Sequence, residues 1–471
     1  MLQLTAGEIE SAIRGHIEYG SRATVVSGIS IDTRSLKPGD LFFAIRGPNQ
    51  DGHRFIPEAL SKGAAGAVAE NGFAYPAVFP PGRLLLKAAD THQALKDLAA
   101  FYRRRWSGTL VAITGSMGKT TTKEFAAQIL ERKLCVYRTP GNYNNLFGLP
   151  LALFGLESAH DLGIFEMGMS APGEIAEMCR IAAPSIGIIT NIAPVHLEFF
   201  SSLEEIARAK GELVDALPLD GLLIHNTDDP LVEALADRFP GVKCSFGFTE
   251  RAQVRAEHFE IRSLQESRFR LSCAGAVFNC IVPFAGKHNI MNTLPGIALG
   301  MKLRVEPEHM VQCLPRLRQP SMRGGILNFR QGFTVIDDSY NSNPRALMQM
   351  IEVLATVPCY DRRILLAGEM LELGKESPSL HCECGRFAAG HKIDLVIGVQ
   401  GMAREIVRGA VESGLDDSRA LFFATPEAAL NFVADFLRAR DLVLIKGSRG
   451  VHMEKIVQGL CARFGVASNG L

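Results

Sequence analysis

The short run GSMGKT at residues 115–120 contains the residue types that bind a phosphate chain. Glycines let backbone N–H groups approach phosphate oxygens, and a helix that begins there adds a partial positive charge. Lys119 would reach the β- and γ-phosphates, and the hydroxyl of Thr120 would bind Mg²⁺. The run departs from the usual G-x-x-x-x-G-K-[ST] pattern because Ile113 stands where the first glycine belongs. On these residues alone, the run predicts either a phosphate loop or a tight turn without a ligand.

Two further candidates, Glu166 and His196, follow neighbouring strand patterns downstream. Glu166 ends the apolar pattern DLGIFEMG, and His196 follows the pattern SIGIITNI. In an open α/β sheet, ligands bind at the carboxyl ends of the strands, where a phosphate loop also lies. A carboxylate at this edge would hold the Mg²⁺ of a nucleotide, so we expect both residues at one active site. The alternatives are a solvated or helix-capping glutamate and a structural histidine.

Lys210 lies on the apolar face of a predicted helix, LEEIARAKGELVDAL. It is seven residues from both Leu203 and Leu217 and therefore shares their stripe. Burying an ammonium costs desolvation energy unless the charge is paired or neutralised. Lys210 is therefore either a catalytic-site residue or a snorkelling lysine near the helix end. As a carbamate, the catalytic-site lysine would become a metal-binding anion.

The surrounding patterns divide the chain into three α/β domains, predicted at residues 1–106, 107–318 and 319–471. The first is a small module of short strands that ends in a helix. The second alternates strands with helices, which predicts a P-loop-type, mostly parallel sheet with helices on both faces. Its stretch 253–284 breaks this rhythm and favours a short antiparallel section. The third predicts a Rossmann-like doubly wound domain, joined by a hinge near residues 316–324.

Composition narrows the classes of partner. The chain has 471 residues, and its 50 basic residues balance its 50 acidic ones, so a nucleic acid or an anionic membrane is not an expected partner. No apolar run reaches the ~18 residues of a membrane span, and no signal peptide is apparent. The ten cysteines lack zinc-site spacing, Cys382 and Cys384 beside His381 included. We therefore expect reduced thiols in a cytoplasmic protein, and nothing demands more than a monomer.

The motifs in their order resemble those of the Mur ligase family along nearly the whole chain. The family's phosphate loop also lacks a glycine at the position that Ile113 occupies here. The matching segments are a uridine-nucleotide-binding module (SIDTRSLKPGDLFFAIRG and DGHRFIPEAL), the phosphate loop (TGSMGKTTTKE), segments at family spacing (GNYNNLFGLP, FEMGMSAPGEI and TNIAPVHLE), an adenine-contacting H-N-x-x-N (GKHNIMN), hinge and ribose segments (SMRGG and IDDSYNSNP) and the last strand of the C-terminal domain (DLVLIKGSR).

The resemblance implies a role for each candidate residue. Lys119 and Thr120 would bind ATP and Mg²⁺, and Glu166 would ligate the Mg²⁺ between the β- and γ-phosphates. His196 would help to hold a second Mg²⁺ near the substrate carboxylate, and Lys210 aligns with a lysine that is carbamylated in some members. The other implied nucleotide-binding residues are Gly115, Ser116, Gly118, Thr121, Asn289, Asn292, Arg323 and Asp338. The implied substrate-binding residues are Ser30, Asp32, Thr33 and Arg34 near UDP, with Asn142, Asn144, Asn145 and Thr190 along the substrate channel.

Local sequence alone also allows plainer roles for several of these residues. Asp338 would simply end a strand before a turn, Asn289 and Asn292 would cap a helix, and Arg34 would be a solvated charge. These roles explain the residues one at a time but not the joint order of the motifs.

The resemblance implies an ATP-dependent ligase that joins a carboxylate to an amine through an acyl phosphate and releases ADP and phosphate. The segments DDSYNSNP and KGSR imply the member that adds D-alanyl-D-alanine to UDP-N-acetylmuramoyl-tripeptide in peptidoglycan synthesis. The third residue of that peptide stays open between diaminopimelate and lysine. Alternatives are a sibling that adds a single amino acid, a folate or cyanophycin-type ligase, and a nucleotide-binding scaffold. The N-terminal segment SIDTRSLKPGDLFFAIRG argues against the folate or cyanophycin-type ligase. The scaffold is disfavoured because the chain retains all of Lys119, Thr120, Glu166 and His196.

Overall fold

Three large β-sheets follow one another along the chain. The computed structural model describes residues 3–47, 49–75, 78–195 and 197–467, so the predicted site residue His196 lies outside the described residues. Within them, the sheets have five, nine and six strands. This architecture confirms the predicted α/β fold class.

A small N-terminal module contains the first sheet and a separate pair of strands. Its strands are β1 (Leu4–Thr5), β2 (His16–Tyr19), β3 (Val25–Val26), β4 (Gly28–Ser30), β5 (Asp40–Phe43), β6 (Gly66–Glu70) and β7 (Leu84–Ala88), with helices α1 (Ala6–Ala12), α2 (Ile56–Ser61) and α3 (Thr91–Arg105). The five-stranded order is β2-β7-β6-β5-β4, with β2 antiparallel at one edge. The sequence pattern TVVSGISID is split between β3 and β4 because its halves pair with different strands, β1 and β5.

The nine-stranded central sheet is mostly parallel and ends in antiparallel strands. Its strands are β8 (Thr109–Thr114), β9 (Val136–Arg138), β10 (Leu162–Glu166), β11 (Ile186–Ile189), β12 (Leu222–Asn226), β13 (Val242–Gly247), β14 (Val254–Ser263), β15 (Glu266–Cys273) and β16 (Ala276–Val282). Its helices are α4 (Lys119–Leu130), α5 (Gly148–Leu153), α6 (Glu174–Ala182), α7 (Leu203–Ala216), α8 (Pro230–Asp237), α9 (Lys287–Lys302) and α10 (Pro307–Cys313). Strands β14, β15 and β16 pair antiparallel, as the stretch 253–284 predicts.

The C-terminal sheet has the order β17-β18-β22-β19-β20-β21 and is parallel except for the edge strand β17. Its strands are β17 (Gly325–Asn328), β18 (Thr334–Asp338), β19 (Arg362–Gly368), β20 (Leu395–Val399), β21 (Ala420–Phe423) and β22 (Asp441–Lys446). Its helices are α11 (Pro344–Thr356), α12 (Ser377–Gly390), α13 (Arg404–Glu412), α14 (Pro426–Phe436) and α15 (Glu454–Phe464). Buried apolar clusters on both faces make this a doubly wound unit.

The order of the central strands determines where polar residues meet. Strand β8 lies between β10 and β11, with Glu166 opposite Ile113 and Ile189 opposite Thr114. The three strands run parallel, so the residues that follow them emerge at one edge of the sheet. The phosphate loop, Glu166 and the segment after β11 are therefore neighbours in space.

Helix α3 joins the N-terminal module to the central sheet. The side chain of Asp90 accepts a hydrogen bond from the Gln93 amide at 2.9 Å and begins the helix. Leu95 and Leu98 are fully buried in one apolar cluster that continues from the N-terminal strands into α5 and α6. Helix α3 packs both on the N-terminal strands and on helices of the central sheet, so it spans the first predicted domain boundary. The domain boundaries of the sequence analysis therefore stay a prediction. Within the described part of the chain, no helix is long and apolar enough to cross a membrane.

We expect Leu98→Ala to lower the free energy of unfolding by about 2–5 kcal/mol, because it leaves a cavity between two domains. Urea unfolding followed by circular dichroism measures the change. Leu219→Ala is the matched control, since Leu219 is 77% exposed and its truncation leaves no cavity. Equal unfolding midpoints for the two variants would contradict the packing described for α3.

Candidate nucleotide-binding site

The loop between β8 and α4 has a backbone that only glycine accommodates at two positions. Gly115 has φ +147° and Gly118 has φ +78°, a region that L side chains rarely adopt. A Cβ on Gly115 would lie 1.9 Å from Oγ1 of Thr190, and one on Gly118 would lie 2.3 Å from Oδ1 of Asn292. The two glycines therefore let the chain turn closely against its neighbours just before α4 begins.

Residues 190–193, which follow β11, form hydrogen bonds to this loop. The hydroxyl of Thr190 donates to the Met117 carbonyl at 2.7 Å, and the side chain of Asn191 both accepts from the Met117 amide and donates to its carbonyl, each at 3.0 Å. The hydroxyl of Ser116 bonds to the backbone of Ala193. Thr190 is therefore buried under the loop, whereas Asn191, which the sequence analysis did not select, faces the cavity.

Glu166 is held at both carboxylate oxygens. One oxygen accepts from the Thr120 hydroxyl and the other from the Asn144 side-chain amide, each at 2.7 Å. Its backbone amide donates to Oγ1 of Thr139 at 3.2 Å. The residue is only 3% exposed, so these bonds offset the desolvation of a buried carboxylate. The arrangement places a fixed anion beside the first turn of α4.

Lys119 turns its ammonium back over the loop. The ammonium donates to the Gly115 carbonyl at 2.7 Å. Burial lowers the pKa of Lys119, and the nearby charge of Arg323 lowers it further, while Glu166 acts in the opposite direction. A cation so placed, with little solvent around it, attracts a phosphate more strongly than an exposed lysine would.

Lys210 is buried within α7 rather than extended to water. Its side chain is 1% exposed, which excludes the snorkelling alternative. Burial lowers the pKa of Lys210 well below its ordinary value, and the charge of Lys119 adds to the effect. Among the residues described, no carboxylate forms an ion pair with it. Burial therefore shifts this amine toward its neutral form. Its catalytic role and its carbamylation stay predictions.

A cavity of about 1090 Å³ lies between the central and C-terminal sheets. It is large enough for a nucleotide together with part of a second substrate. The predicted site residues that line it are Ser116, Gly118, Lys119, Thr120, Thr121, Asn142, Asn144, Asn145, Glu166, Asn289, Asn292, Arg323 and Asp338. The predicted residues that do not line it are Gly115 at the start of the loop, Thr190 beneath the loop, Lys210 in α7, and Ser30, Asp32, Thr33 and Arg34 in the N-terminal module.

The C-terminal sheet contributes charged groups to the far wall of the cavity. The carboxylate of Asp338 accepts from the Lys446 ammonium at 2.5 Å, and Lys446 also donates to the Asn341 carbonyl at 2.9 Å. The guanidinium of Arg323 lies 4.4 Å from the centre of the Tyr340 ring. Lys446 was not selected from the sequence, although a lysine that ends the apolar strand pattern DLVLIK is a recognisable signal.

The start of α9 forms another side of the cavity. Helix α9 begins after Gly286 without a side-chain cap, so the capping alternative for Asn289 and Asn292 does not apply. The side chain of Asn289 instead donates to the Ala285 carbonyl at 2.7 Å. Burial lowers the pKa of the neighbouring His288 to about 4.

The four predicted uridine-site residues lie at the end of β4 and just after it. The Ser30 hydroxyl donates to the Asp32 carbonyl at 3.0 Å, and the Lys62 ammonium donates to the Thr33 carbonyl at the same distance. Arg34 is 88% exposed and pairs with Asp32 at 2.6 Å, which lowers the pKa of that carboxyl. The cluster lies on the N-terminal module and contributes no wall of the cavity between the other two sheets.

Three models of known protein families match three successive parts of the chain. Residues 25–103, 113–300 and 322–449 match, respectively, the models of the Mur ligase family catalytic domain, the Mur ligase middle domain and the Mur ligase glutamate ligase domain. The chain belongs to the Mur ligase family. The three matches lie within the first, second and third predicted domains.

Relatives and solved structures of this family cover nearly the whole chain. It is 31% identical to the UDP-N-acetylmuramoyl-tripeptide–D-alanyl-D-alanine ligase of Bacillus subtilis (strain 168), over 98% of this chain and 99% of the relative. The enzyme of the same name from Escherichia coli (strain K12) is 30% identical with the same coverage. A crystal structure of MurF from Acinetobacter baumannii has a TM-score of 0.89 at 28% identity and covers 98% of this chain and 100% of its own. A Thermotoga maritima MurF complex with ADP has a TM-score of 0.82 at 26% identity, covering 92% and 97%.

We expect Glu166→Gln to lose the part of the ADP affinity that depends on Mg²⁺, by about 10- to 100-fold, because the variant keeps the shape of the side chain but not its charge. Calorimetric titration of ADP with and without Mg²⁺ measures it. Glu131→Gln, an exposed change just beyond α4, is the control and should bind as the parent does. An undiminished Mg²⁺ effect in Glu166→Gln would argue against a metal at this carboxylate.

We expect His288→Gln to lose less stability than the parent between pH 7 and pH 4.5. The folded protein keeps His288 neutral down to about pH 4, whereas the unfolded chain takes up the proton near the ordinary value of 6.5. Protonation therefore favours the unfolded chain as pH falls through this window. Urea midpoints across the range measure the slope. His309→Gln, at an exposed histidine, should retain the parent's slope; a parent-like slope in His288→Gln would contradict the assignment.

Proposed function

We propose that this chain is an ATP-dependent ligase that adds D-alanyl-D-alanine to UDP-N-acetylmuramoyl-tripeptide, releasing ADP and phosphate. One observation carries the proposal: a phosphate loop, a fixed carboxylate and charged groups from a second domain all line the same cavity. The similarity to relatives of that name over 98% of the chain supports the choice of substrates.

Glu166 and Thr120 would hold Mg²⁺ in this site. Carboxylate and hydroxyl oxygens are the ligands that this hard cation prefers, and the hydrogen bond between the two side chains places both oxygens together. The metal would neutralise charge on the phosphates during transfer. His196 is proposed for a second metal near the substrate carboxylate, and a carbamate on Lys210 would supply a further anion.

The reaction needs positioning and charge stabilisation from the protein. A carboxylate oxygen of the tripeptide attacks the γ-phosphorus of ATP, and the bond to the ADP oxygen breaks. Lys119 stabilises the negative charge on the transferring group, close to the backbone N–H groups of the loop. The resulting acyl phosphate is attacked at its carbonyl carbon by the dipeptide amine. The C–O bond to phosphate then breaks, and the amine nitrogen gives up a proton.

The two-domain cavity protects the reactive acyl phosphate from water. Asn289 and Asn292 of the central domain would contact adenine, while Arg323 and Asp338 reach the nucleotide from the C-terminal domain. Binding of ATP would therefore favour closure of one domain on the other. Asn142, Asn144 and Asn145 would line the path of the peptide, and Ser30, Asp32, Thr33 and Arg34 would hold the UDP end. Thr190 would act through the phosphate loop that it supports.

The relevant compartment is the cytoplasm, where ATP and the nucleotide-linked precursor are available. The balanced charge and the free cysteines are consistent with this placement. The catalytic unit we propose is a monomer with domains 1–106, 107–318 and 319–471, because nothing in the sequence demands a second chain.

We expect release of ADP and phosphate from ATP and Mg²⁺ only when both UDP-N-acetylmuramoyl-tripeptide and D-alanyl-D-alanine are present. Lys119→Ala should abolish turnover because it removes the cation over the loop, whereas the exposed Lys133→Ala should retain it. Asp338→Ala should mainly weaken nucleotide binding. A coupled assay for ADP measures all of these rates.

Each other outcome of this assay has a definite meaning. Turnover supported by a single amino acid would replace the proposed amine with that of a sibling ligase. No turnover with any amine would leave a nucleotide-binding scaffold. Normal ligation by Lys119→Ala would contradict the role of the loop.

A further inference from the structure

Lys123 is a fully buried cation that the ligation chemistry does not use. It lies one helical turn after Lys119 in α4, yet it does not line the cavity described above. Its ammonium donates to the Thr139 carbonyl at 2.6 Å and to the Gly141 carbonyl at 3.3 Å, and it pairs with Glu124 at 3.2 Å. Three oxygen partners satisfy the three N–H donors of the ammonium. The charge is thus anchored between the phosphate helix and the segment that follows β9.

That segment is tied to Glu166 at two further points. Oγ1 of Thr139 accepts from the Glu166 backbone amide at 3.2 Å, and the Asn144 side-chain amide donates to the Glu166 carboxylate at 2.7 Å. The Asn144 carbonyl accepts from the Gly168 amide at 2.7 Å. Residues 139–145 therefore form a bridge from Lys123 to the carboxylate proposed to hold Mg²⁺.

We propose that Lys123 is a positioning residue that sets residues 139–145 against Glu166. In doing so it fixes both the orientation of the carboxylate and the asparagines that face the peptide substrate. The inference rests on the ligase function proposed above and adds a residue that acts on the metal and substrate sites without touching either.

The physical reason is the cost of an unmade hydrogen bond. Lys123→Met keeps most of the side-chain volume but leaves the Thr139 and Gly141 carbonyls without their buried donor. Gly141 is exposed, so its carbonyl can bind water in place. The carbonyl of the buried Thr139 recovers a partner only if the segment moves toward water, and such a movement takes Asn144 away from Glu166. The loop of residues 115–118 is supported separately by Thr190 and Asn191, so it stays in place.

The kinetic signature separates positioning from general stability. We expect Lys123→Met to raise KM for the nucleotide-linked tripeptide and to lower kcat, so that kcat/KM falls by about 10-fold or more. Its affinity for ADP without Mg²⁺ should stay that of the parent. Lys87→Met is the matched control, because Lys87 is also buried and also donates to two backbone carbonyls, those of Glu70 and Phe73 in the N-terminal module. It should lower stability and leave kcat/KM unchanged.

A second pair of variants serves if Lys123→Met does not fold. Thr139→Val removes the hydroxyl that meets Glu166 and keeps the shape, whereas Thr139→Ser retains the hydroxyl. We expect the valine variant to reproduce the rise in KM and the serine variant to keep parent values. Parent-like constants in Lys123→Met, or in Thr139→Val where Lys123→Met does not fold, would overturn the proposal.

Amide hydrogen exchange in the unliganded protein gives a readout that does not depend on activity. Lys123→Met should speed exchange in residues 139–148 and leave α4 and α9 unchanged. Faster exchange throughout the central domain, with weaker ADP binding, would show a purely structural lysine and overturn the proposal. If the parent failed to ligate, the proposed function would fall, while the exchange comparison would still decide whether Lys123 orders this segment.

Discussion

The site depends on one buried carboxylate whose two oxygens are both held. Glu166 ends a central strand, and its oxygens accept from a hydroxyl on helix α4 and from the side-chain amide of Asn144 in the segment after β9. A carboxylate removed from water is costly unless such donors are present, so the three parts stabilise one another. Because β10 pairs in register with β8, the carboxylate lies beside the loop that would receive the phosphates. A shift of either strand would separate the proposed metal ligand from the proposed phosphate site.

The phosphate loop is also held in place by its close contacts with neighbouring segments. Gly115 and Gly118 allow the backbone to approach Thr190 and Asn292 more closely than any other residue would. The segment after β11 fixes the loop through hydrogen bonds to Ser116 and Met117, so the loop is held in place before a ligand arrives. The C-terminal sheet then completes the cavity with Asp338 and its neighbours. The central domain would hold the phosphate loop in place, and the C-terminal domain would close over the nucleotide. Both features suit a reaction whose intermediate must be kept from water.

Much of this was predictable from the sequence, because apolar runs separated by amphipathic helices indicate a parallel sheet, and strand ends indicate a site. The short strands β9 and β17 were not predicted, since a few residues at a sheet edge carry no distinctive period. Strand β13 was also not predicted, although it lies inside the central sheet. The cavity residues were mostly selected through motif order rather than chemistry. Thr190 was placed in the channel although it lies under the loop, and Asn191, Lys446 and Lys123 were missed. The roles of Asn191 and Lys123 depend on contacts between separate segments, which no local pattern encodes. Lys446, by contrast, ends the strand pattern DLVLIK and could have been selected from the sequence.

The central claim is that the cavity activates a carboxylate by transferring the γ-phosphoryl group to it before the amine reacts. The most direct test labels the terminal carboxylate oxygens of the tripeptide with ¹⁸O and analyses the released phosphate by mass spectrometry. We expect one labelled oxygen to pass to phosphate for each amide bond formed, because the bond to phosphorus is made by the substrate oxygen. Phosphate without label, at a normal rate of amide formation, would show that the carboxylate never attacked phosphorus and would contradict this mechanism.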